Sequence, residues 1–254
     1  MGAGHSHALY IHEHSPIHRM APEAKLVAAF AVVTAVAVTP RQALWAFGLY
    51  AFGVAGLVAA ARVPPRFLAL RLLAIAPFVL FAFFIPFIAG GDTTEIGGVS
   101  LSVDGLWGMW NILAKATLGA SVSIILTATT EIAEIIRGLG VLRVPAIFTA
   151  IATFMIRYLE LIVDELGRMR VAMAARGYDP RWLSQARPIA SAAGALFVRS
   201  YERGERVHAA MLSRGFTGTM PALDHRAARP REWGAVALIA TCAAVISALA
   251  LISS

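Results

Sequence analysis

The chain has 254 residues, of which 58% are hydrophobic and 15% charged, with a mean hydropathy of +0.70. Soluble domains carry about 25% charged residues, so this composition excludes a water-soluble core inside an ordinary polar shell, and it excludes disorder as well. A single cysteine, Cys242, rules out a disulfide framework or a cysteine-built zinc site, and the net charge of +7 lies between apolar runs, which suits membrane orientation and a protein partner rather than nucleic acid.

Residues 1–24 form a polar lead-in containing His5, His7, His12, His14 and His18, with Glu13 among them. Imidazoles suit Co²⁺, Ni²⁺ or Zn²⁺. The plainer role is a cytoplasmic lead-in whose His18 anchors the first helix, with no metal bound by this chain. The opening Met1-Gly2-Ala3-Gly4-His5-Ser6 fits a loose myristoylation pattern, but a lipid anchor adds little to a chain that spans the membrane several times. No cleavable signal is recognisable.

Residues 25–130 hold four apolar stretches, at roughly Lys25–Val38, Ala43–Ala61, Leu68–Ala89 and Leu106–Thr130. Crossing the hydrocarbon takes about 17–25 residues, so the first must extend into its flanks. Small residues at Ala31/Ala35 and Ala51/Ala55/Ala59 suit close helix packing in lipid. Pro77 and Pro86 are expected to bend the third span. Lys115, deep in the fourth, is either a functional intramembrane charge or a snorkelling lysine. Arg62, Arg66 and Arg71 bracket the second turnaround, whereas the third carries Asp92, Glu95 and Asp104 and no basic residue. The positive-inside rule then places the N-terminus in the cytoplasm and residues 90–105 outside, with Arg41 as the one loop charge against the pattern.

Residues 131–232 hold 15 of the 22 basic groups and read as a cytoplasmic domain of long amphipathic helices. One helix is expected from Ala146, with Ile151, Met155, Tyr158, Ile162, Leu166, Met169 and Met173 on one face and an Asp164–Arg168 pair on the other. A second follows Pro188, with Ala193, Phe197, Ser200, Gly204, Val207 and Met211 as its seam. Both end in the same words: Ala172-Met-Ala-Ala175-Arg176-Gly177-Tyr178 and Ala210-Met-Leu-Ser213-Arg214-Gly215-Phe216. A helix cap accounts for Arg-Gly at each end, with Asp179-Pro180 and Pro221 as stops. It leaves the shared Ala-Met and the trailing aromatic unexplained. Two matching cytoplasmic tips suit a two-fold partner such as a dimer. Residues 233–254 hold a fifth span, Trp233–Ile252, so the fold class is an all-α integral membrane protein with about five transmembrane helices and a cytoplasmic coupling domain.

Paired arginine motifs closing two long helices resemble the transmembrane T component of energy-coupling factor transporters. The stretch His14-Ser-Pro-Ile-His-Arg19-Met-Ala-Pro-Glu-Ala-Lys25-Leu is similar to that family's opening, with Ala21 where an acidic residue is usual. Leu139-Gly-Val, Pro145, Arg157-Tyr158 and Glu165 follow the family as well, and the His-rich start is most similar to the cobalt-uptake branch, CbiQ. The resemblance implies a non-catalytic coupling subunit in a bacterial cytoplasmic membrane. Ala175, Arg176, Gly177, Ser213, Arg214 and Gly215 would dock on an ATPase dimer that binds ATP-Mg. A separate membrane subunit would capture the substrate, cobalt for cobalamin synthesis, and a small accessory membrane protein can join. Nickel or a vitamin is the alternative cargo. From another class, a lipid-modifying membrane enzyme would need Glu131 and Glu134 as its carboxylates. The chain has no phosphate-binding loop of its own, since Lys25 and Lys115 each follow alanine.

Overall fold

A computed structural model describes residues 15–90, 93–96, 99–178, 182, 186–218 and 227–253. His5, His7, His12, Glu13, His14, Asp92, Asp179, Pro180 and Pro221 lie outside the described residues. Ten α-helices and one short hairpin are described, and the chain divides at Gly138 and again at Arg226 into two compact units.

The membrane unit contains α1 (Pro22–Val38), α2 (Leu44–Ala61), α3 (Pro65–Leu72), α4 (Ala76–Ala82), α5 (Ile85–Ile88), α6 (Val103–Thr129), most of α7 (Ile132–Val141) and α10 (Pro230–Ile252). Two antiparallel strands, β1 (Thr93–Ile96) and β2 (Val99–Ser102), pair between α5 and α6, with Thr93 opposite Ser102 and Ile96 opposite Val99. Five described helices have the length and composition of a membrane span: α2, the run Pro65–Ile88, α6, α10 and one helix of the second unit, Ala146–Ala175. Helix α1 has 17 residues, about 26 Å of rise, and packs against α6 and α10 as a span does.

The third span is a broken helix, and each break is local chemistry. Pro77 has no N–H to give to the carbonyl of Leu73, so Ala76 N–H takes that carbonyl instead and a 3-10 turn, Leu73–Ile75, joins α3 to α4. Pro86 stands in the first turn of α5, where a missing N–H costs no bond within the helix. Helix α6 starts with a Ser102 hydroxyl that accepts from Gly105 N–H. Its Thr117, Ser121, Thr127 and Thr129 hydroxyls donate to carbonyls one turn back, so these hydroxyls are satisfied within the helix.

The core lies between α1, α2, α6 and α10, with Val32, Val36, Phe47, Tyr50, Leu118 and Ile125 among its members. Tyr50 donates to the carbonyl of Ala243 at 3.0 Å, tying α2 to α10. The seam of α2 is Phe47, Tyr50, Val54 and Ala61, while Ala51, Ala55 and Ala59 are exposed. This corrects the small-residue expectation for α2, whereas in α1 Ala35 is buried and Ala31 half-buried. Lipid is as apolar as the core, so a stripe of alanines can face either one.

The opposing loop charge is also resolved. Arg41 pairs with Asp104 at 2.9 Å, which joins the α1–α2 turn to the start of α6. Both belong to the end of the unit opposite the one carrying Arg62 and Arg66.

The second unit, described over residues 139–218, holds α8 (Ala146–Ala175) and α9 (Arg187–Ser213). They cross where Tyr158, Ile162, Ser200, Arg203, Gly204 and Val207 surround a cavity of about 110 Å³. Glu165 bridges Arg168 and Arg199, each at 2.7 Å. Arg168 therefore pairs with Glu165 rather than with Asp164. Five of the expected seam residues, Gly204 among them, are exposed. In α8, Tyr158, Ile162, Leu166, Met169 and Met173 are half-buried, but Ile151 and Met155 are exposed. In α9 the inner positions are Ala192 and Leu196, one residue before the expected Ala193 and Phe197, and Phe197 is 72% exposed.

Candidate functional site: two arginine tips

Helices α8 and α9 close with the same hydrogen bonds. At the first tip, Tyr178 N–H donates to the Met173 carbonyl at 3.1 Å and Gly177 N–H to the Ala174 carbonyl at 2.9 Å. At the second, Phe216 N–H donates to Met211 and Gly215 N–H to Leu212, both at 3.0 Å. Each is a Schellman motif with glycine in the left-handed place, at φ +77° for Gly177 and +83° for Gly215.

This geometry accounts for most of the repeated words. Methionine is the residue whose carbonyl receives the long bond, and the aromatic is the residue that donates it. Those two positions are the pair that commonly makes the hydrophobic contact of this motif. Met173, Tyr178, Met211 and Phe216 are all half-buried, in keeping with that contact. The expectation that a cap leaves the methionine and the aromatic unexplained is therefore wrong, whereas the shared alanine stays outside the cap's account. What capping does not require is the arginine. Arg176 and Arg214 occupy the cap residue itself, with φ/ψ of −89°/11° and −96°/9°, a conformation open to nearly any side chain. Both are exposed, and among the described residues neither guanidinium is paired with a carboxylate.

Two other helices supply the contrast. Helices α2 and α7 end with the same bond pattern but carry arginine in the left-handed place, Arg62 at φ 55° and Arg143 at φ 67°. Arginine there is strained, whereas at the tips glycine takes the strain and arginine is left free to reach outward. The flanking Ala175 and Ser213 are the last helical residues, both exposed, and the Ser213 hydroxyl donates to the Ala210 carbonyl at 2.9 Å. Arg176 lies about 17 Å of helix beyond Glu165, and Arg214 about 10 Å beyond Val207, the last residue of α9 at the crossing.

Glycine at these places is a testable requirement. Gly177→Ala or Gly215→Ala puts a Cβ into the left-handed region at a cost of about 1 kcal/mol, and no neighbour lies within 4 Å to clash or to help. The expected outcome is roughly fivefold faster amide exchange at Tyr178 or Phe216, the donors of the long bonds, with the remainder of each helix unchanged.

The remaining expected positions fall elsewhere. Lys115 donates to the Ala37 carbonyl at 2.7 Å, where it satisfies an otherwise orphaned acceptor near the end of α1. The Glu131 carbonyl accepts from Glu134 N–H and Ile135 N–H, so Glu131 opens α7. Among the described residues no group of three metal-binding side chains is brought together.

A second polar cluster lies in the membrane unit. Ser15 and His18 share a 2.7 Å hydrogen bond in the turn before α1. Lys25, 6% exposed, donates to the carbonyls of Thr129 at 2.8 Å and His18 at 3.3 Å and to the Thr130 hydroxyl at 3.1 Å. Glu23, 1% exposed, accepts from Ala228 N–H at 2.8 Å. The family-like opening carried Lys25 in its motif, but nothing local pointed to Thr129, Thr130 or Ala228, which lie more than a hundred residues away.

The family model described as cobalt transport protein, CbiQ, matches residues 13–223. A cobalt transport protein CbiQ of Rhodobacter capsulatus is 32% identical over 194 residues, covering 74% of this chain and 75% of that one. An energy-coupling factor transporter transmembrane protein, EcfT, of Bacillus subtilis is 28% identical over 224 residues, covering 82% and 83%. A protein bearing the fusion name CbiMQ, from Methanocorpusculum labreanum, is 28% identical over 109 residues, which is 43% of this chain but 18% of that longer protein.

Proposed function

The chain belongs to the cobalt transport protein family CbiQ, and from that membership we propose that it is the subunit that carries the work of a partner ATPase dimer to a separate substrate-binding membrane subunit. It is a transmembrane component of an energy-coupling-factor-type transporter and crosses the membrane several times. The observation that carries the finer reading is the pair of tips: one bond pattern built twice, each time with an exposed, uncommitted arginine one residue before the turn. Two equal contacts suit two equal protomers. A guanidinium suits them because its planar fork binds carboxylates or carbonyls in fixed geometry.

The chain itself is non-catalytic in this reading, and the cargo is cobalt, named by the CbiQ relative. The arginine-rich end of the membrane unit faces the cytoplasm, and so does the insert between α6 and α10. Helix α8 is long and apolar enough to span a bilayer, but Arg157, Glu160, Asp164, Glu165, Arg168 and Arg170 fall within it. Six charges on one helix favour an interfacial or aqueous place over the hydrocarbon.

Purification of the intact complex, followed by identification of its subunits, tests the reading. An ATPase and a second membrane protein are expected with this chain. A cysteine at Ser100 should react with an impermeant reagent from outside the cell, and one at Ser184 after the membrane is opened. Recovery of the chain without an ATPase, or the reverse labelling pattern, would overturn the assignment.

A further inference from the structure

We propose that Lys25 and Glu23 are positioning residues for energy coupling, holding the points where the chain leaves the membrane unit and returns to it in fixed relation to the end of α6. The inference rests on the coupling function proposed above. The chain leaves the membrane unit at Gly138 and returns at Arg226. The first turn of α1 grips both places. At Gly138 the backbone lies so close to it that a Cβ would stand 3.0 Å from Glu23 N, 3.0 Å from Leu26 Cδ1 and 3.2 Å from the Pro22 carbonyl carbon. At the return, the Glu23 carboxylate accepts the Ala228 N–H, two residues before α10 begins.

The third attachment is Lys25. An ammonium has three N–H donors and no acceptor, and all three have partners: the Thr129 carbonyl and Thr130 hydroxyl where α6 ends, and the His18 carbonyl. The carbonyls of Thr129 and its neighbours lack partners within the helix, and the helix dipole is negative there, so a cation caps this end. Glu134 and Glu232 add negative field around the ammonium from α7 and from the first turn of α10. The end of α6, the exit at Gly138 and the return before α10 are thus all attached to the start of α1.

Stability alone does not call for this arrangement. Buried charges lose much of their attraction to desolvation, and well-packed apolar side chains often serve stability as well or better. Moreover, Glu23 Oε2 is buried without a hydrogen-bond partner among the described residues, a cost that packing would not choose. What directed bonds supply and apolar packing does not is fixed orientation. Force applied to the insert enters the membrane unit through the covalent connections at Gly138 and Arg226. With those roots clasped to α1 and α6, the bundle moves with them; unclasped, the roots swing and the bundle stays.

The test uses the complete transporter, reconstituted with its ATPase and substrate subunit, carrying Lys25→Met, Lys25→Arg, Glu23→Gln or Gly138→Ala in this chain. Substrate taken up per ATP hydrolysed is measured alongside subunit recovery and melting temperature. Lys25→Met is expected to assemble and hydrolyse ATP while uptake per ATP falls roughly tenfold, an ordinary coupling loss. Lys25→Arg should recover much of it, because it keeps donors toward Thr129. Normal uptake per ATP in Lys25→Met overturns the inference. Should that variant fail to insert, Gly138→Ala decides, since it buries no unpaired charge: uncoupling supports the clasp, and normal coupling overturns it. A wild-type chain that recruits no ATPase would instead overturn the coupling function itself, a result that the variants cannot mimic.

Discussion

Replacing both Arg176 and Arg214 by alanine is expected to abolish transport and most ATPase association while the protein still inserts and folds. Two magnitudes make this separation sharp. As cap residues, exposed arginines at a helix C-terminus contribute about 0.3–1 kcal/mol through the dipole. As contacts in a partner groove, shielded from water and hydrogen-bonded, each costs about 2–5 kcal/mol to truncate, a factor of roughly 30 to 5,000 in affinity. The single variants should therefore weaken or uncouple the complex while the other tip still holds. The double variant should lose both contacts. Lysine at each place should rescue in part, because a point charge keeps the attraction and loses the bidentate geometry. Co-purification of the double alanine variant with its ATPase, together with normal transport, would reduce both arginines to caps. Capping explains the methionine, glycine and aromatic of each repeat without them, so the arginines carry the functional argument by themselves.

Gly105→Ala is expected to destabilise the membrane unit by about 1–3 kcal/mol, the usual cost of overpacking. Gly105 is buried in the first turn of α6, directly against α5. A Cβ there would lie 2.6 Å from Pro86 Cα, 3.0 Å from the Ile85 carbonyl oxygen and 3.1 Å from Ala89 Cβ. The first two of those atoms are backbone, so no rotamer change relieves the clash and α5 must shift as a body. Gly108→Ala, one turn on, is the control: its Cβ would meet only Ile85 Cγ2, at an ordinary 3.5 Å. Thermal unfolding in detergent should separate the two variants clearly. Equal melting of Gly105→Ala and the wild type would mean that α5 is not seated on α6 at this point.

The sequence by itself determined whatever depends on a few neighbouring residues or on summed composition. Hydropathy over some twenty residues located the second to fifth spans, because the thickness of a bilayer sets the length of an apolar run. The two tips were legible for a different local reason. A Schellman motif closes within six residues, so its glycine, methionine and aromatic all lie in one short word, although only the bonds assign the last two their roles. The breaks in the third span followed from Pro77 and Pro86 alone.

Only the tertiary structure decided which faces pack and what the buried charges meet. In water an amphipathic stripe identifies its own inner face, but in lipid the outside of a bundle is as apolar as the inside. The pattern of α2 therefore could not distinguish the exposed Ala51, Ala55 and Ala59 from the buried Phe47, Tyr50 and Val54. Lys115 found a carbonyl 78 residues away, and Lys25 found its acceptors 104 and 105 residues away. Those partners are backbone carbonyls and a threonine hydroxyl, groups present throughout the chain. A buried ammonium must be satisfied by some acceptor, and only the packing of α1 against α6 selects which.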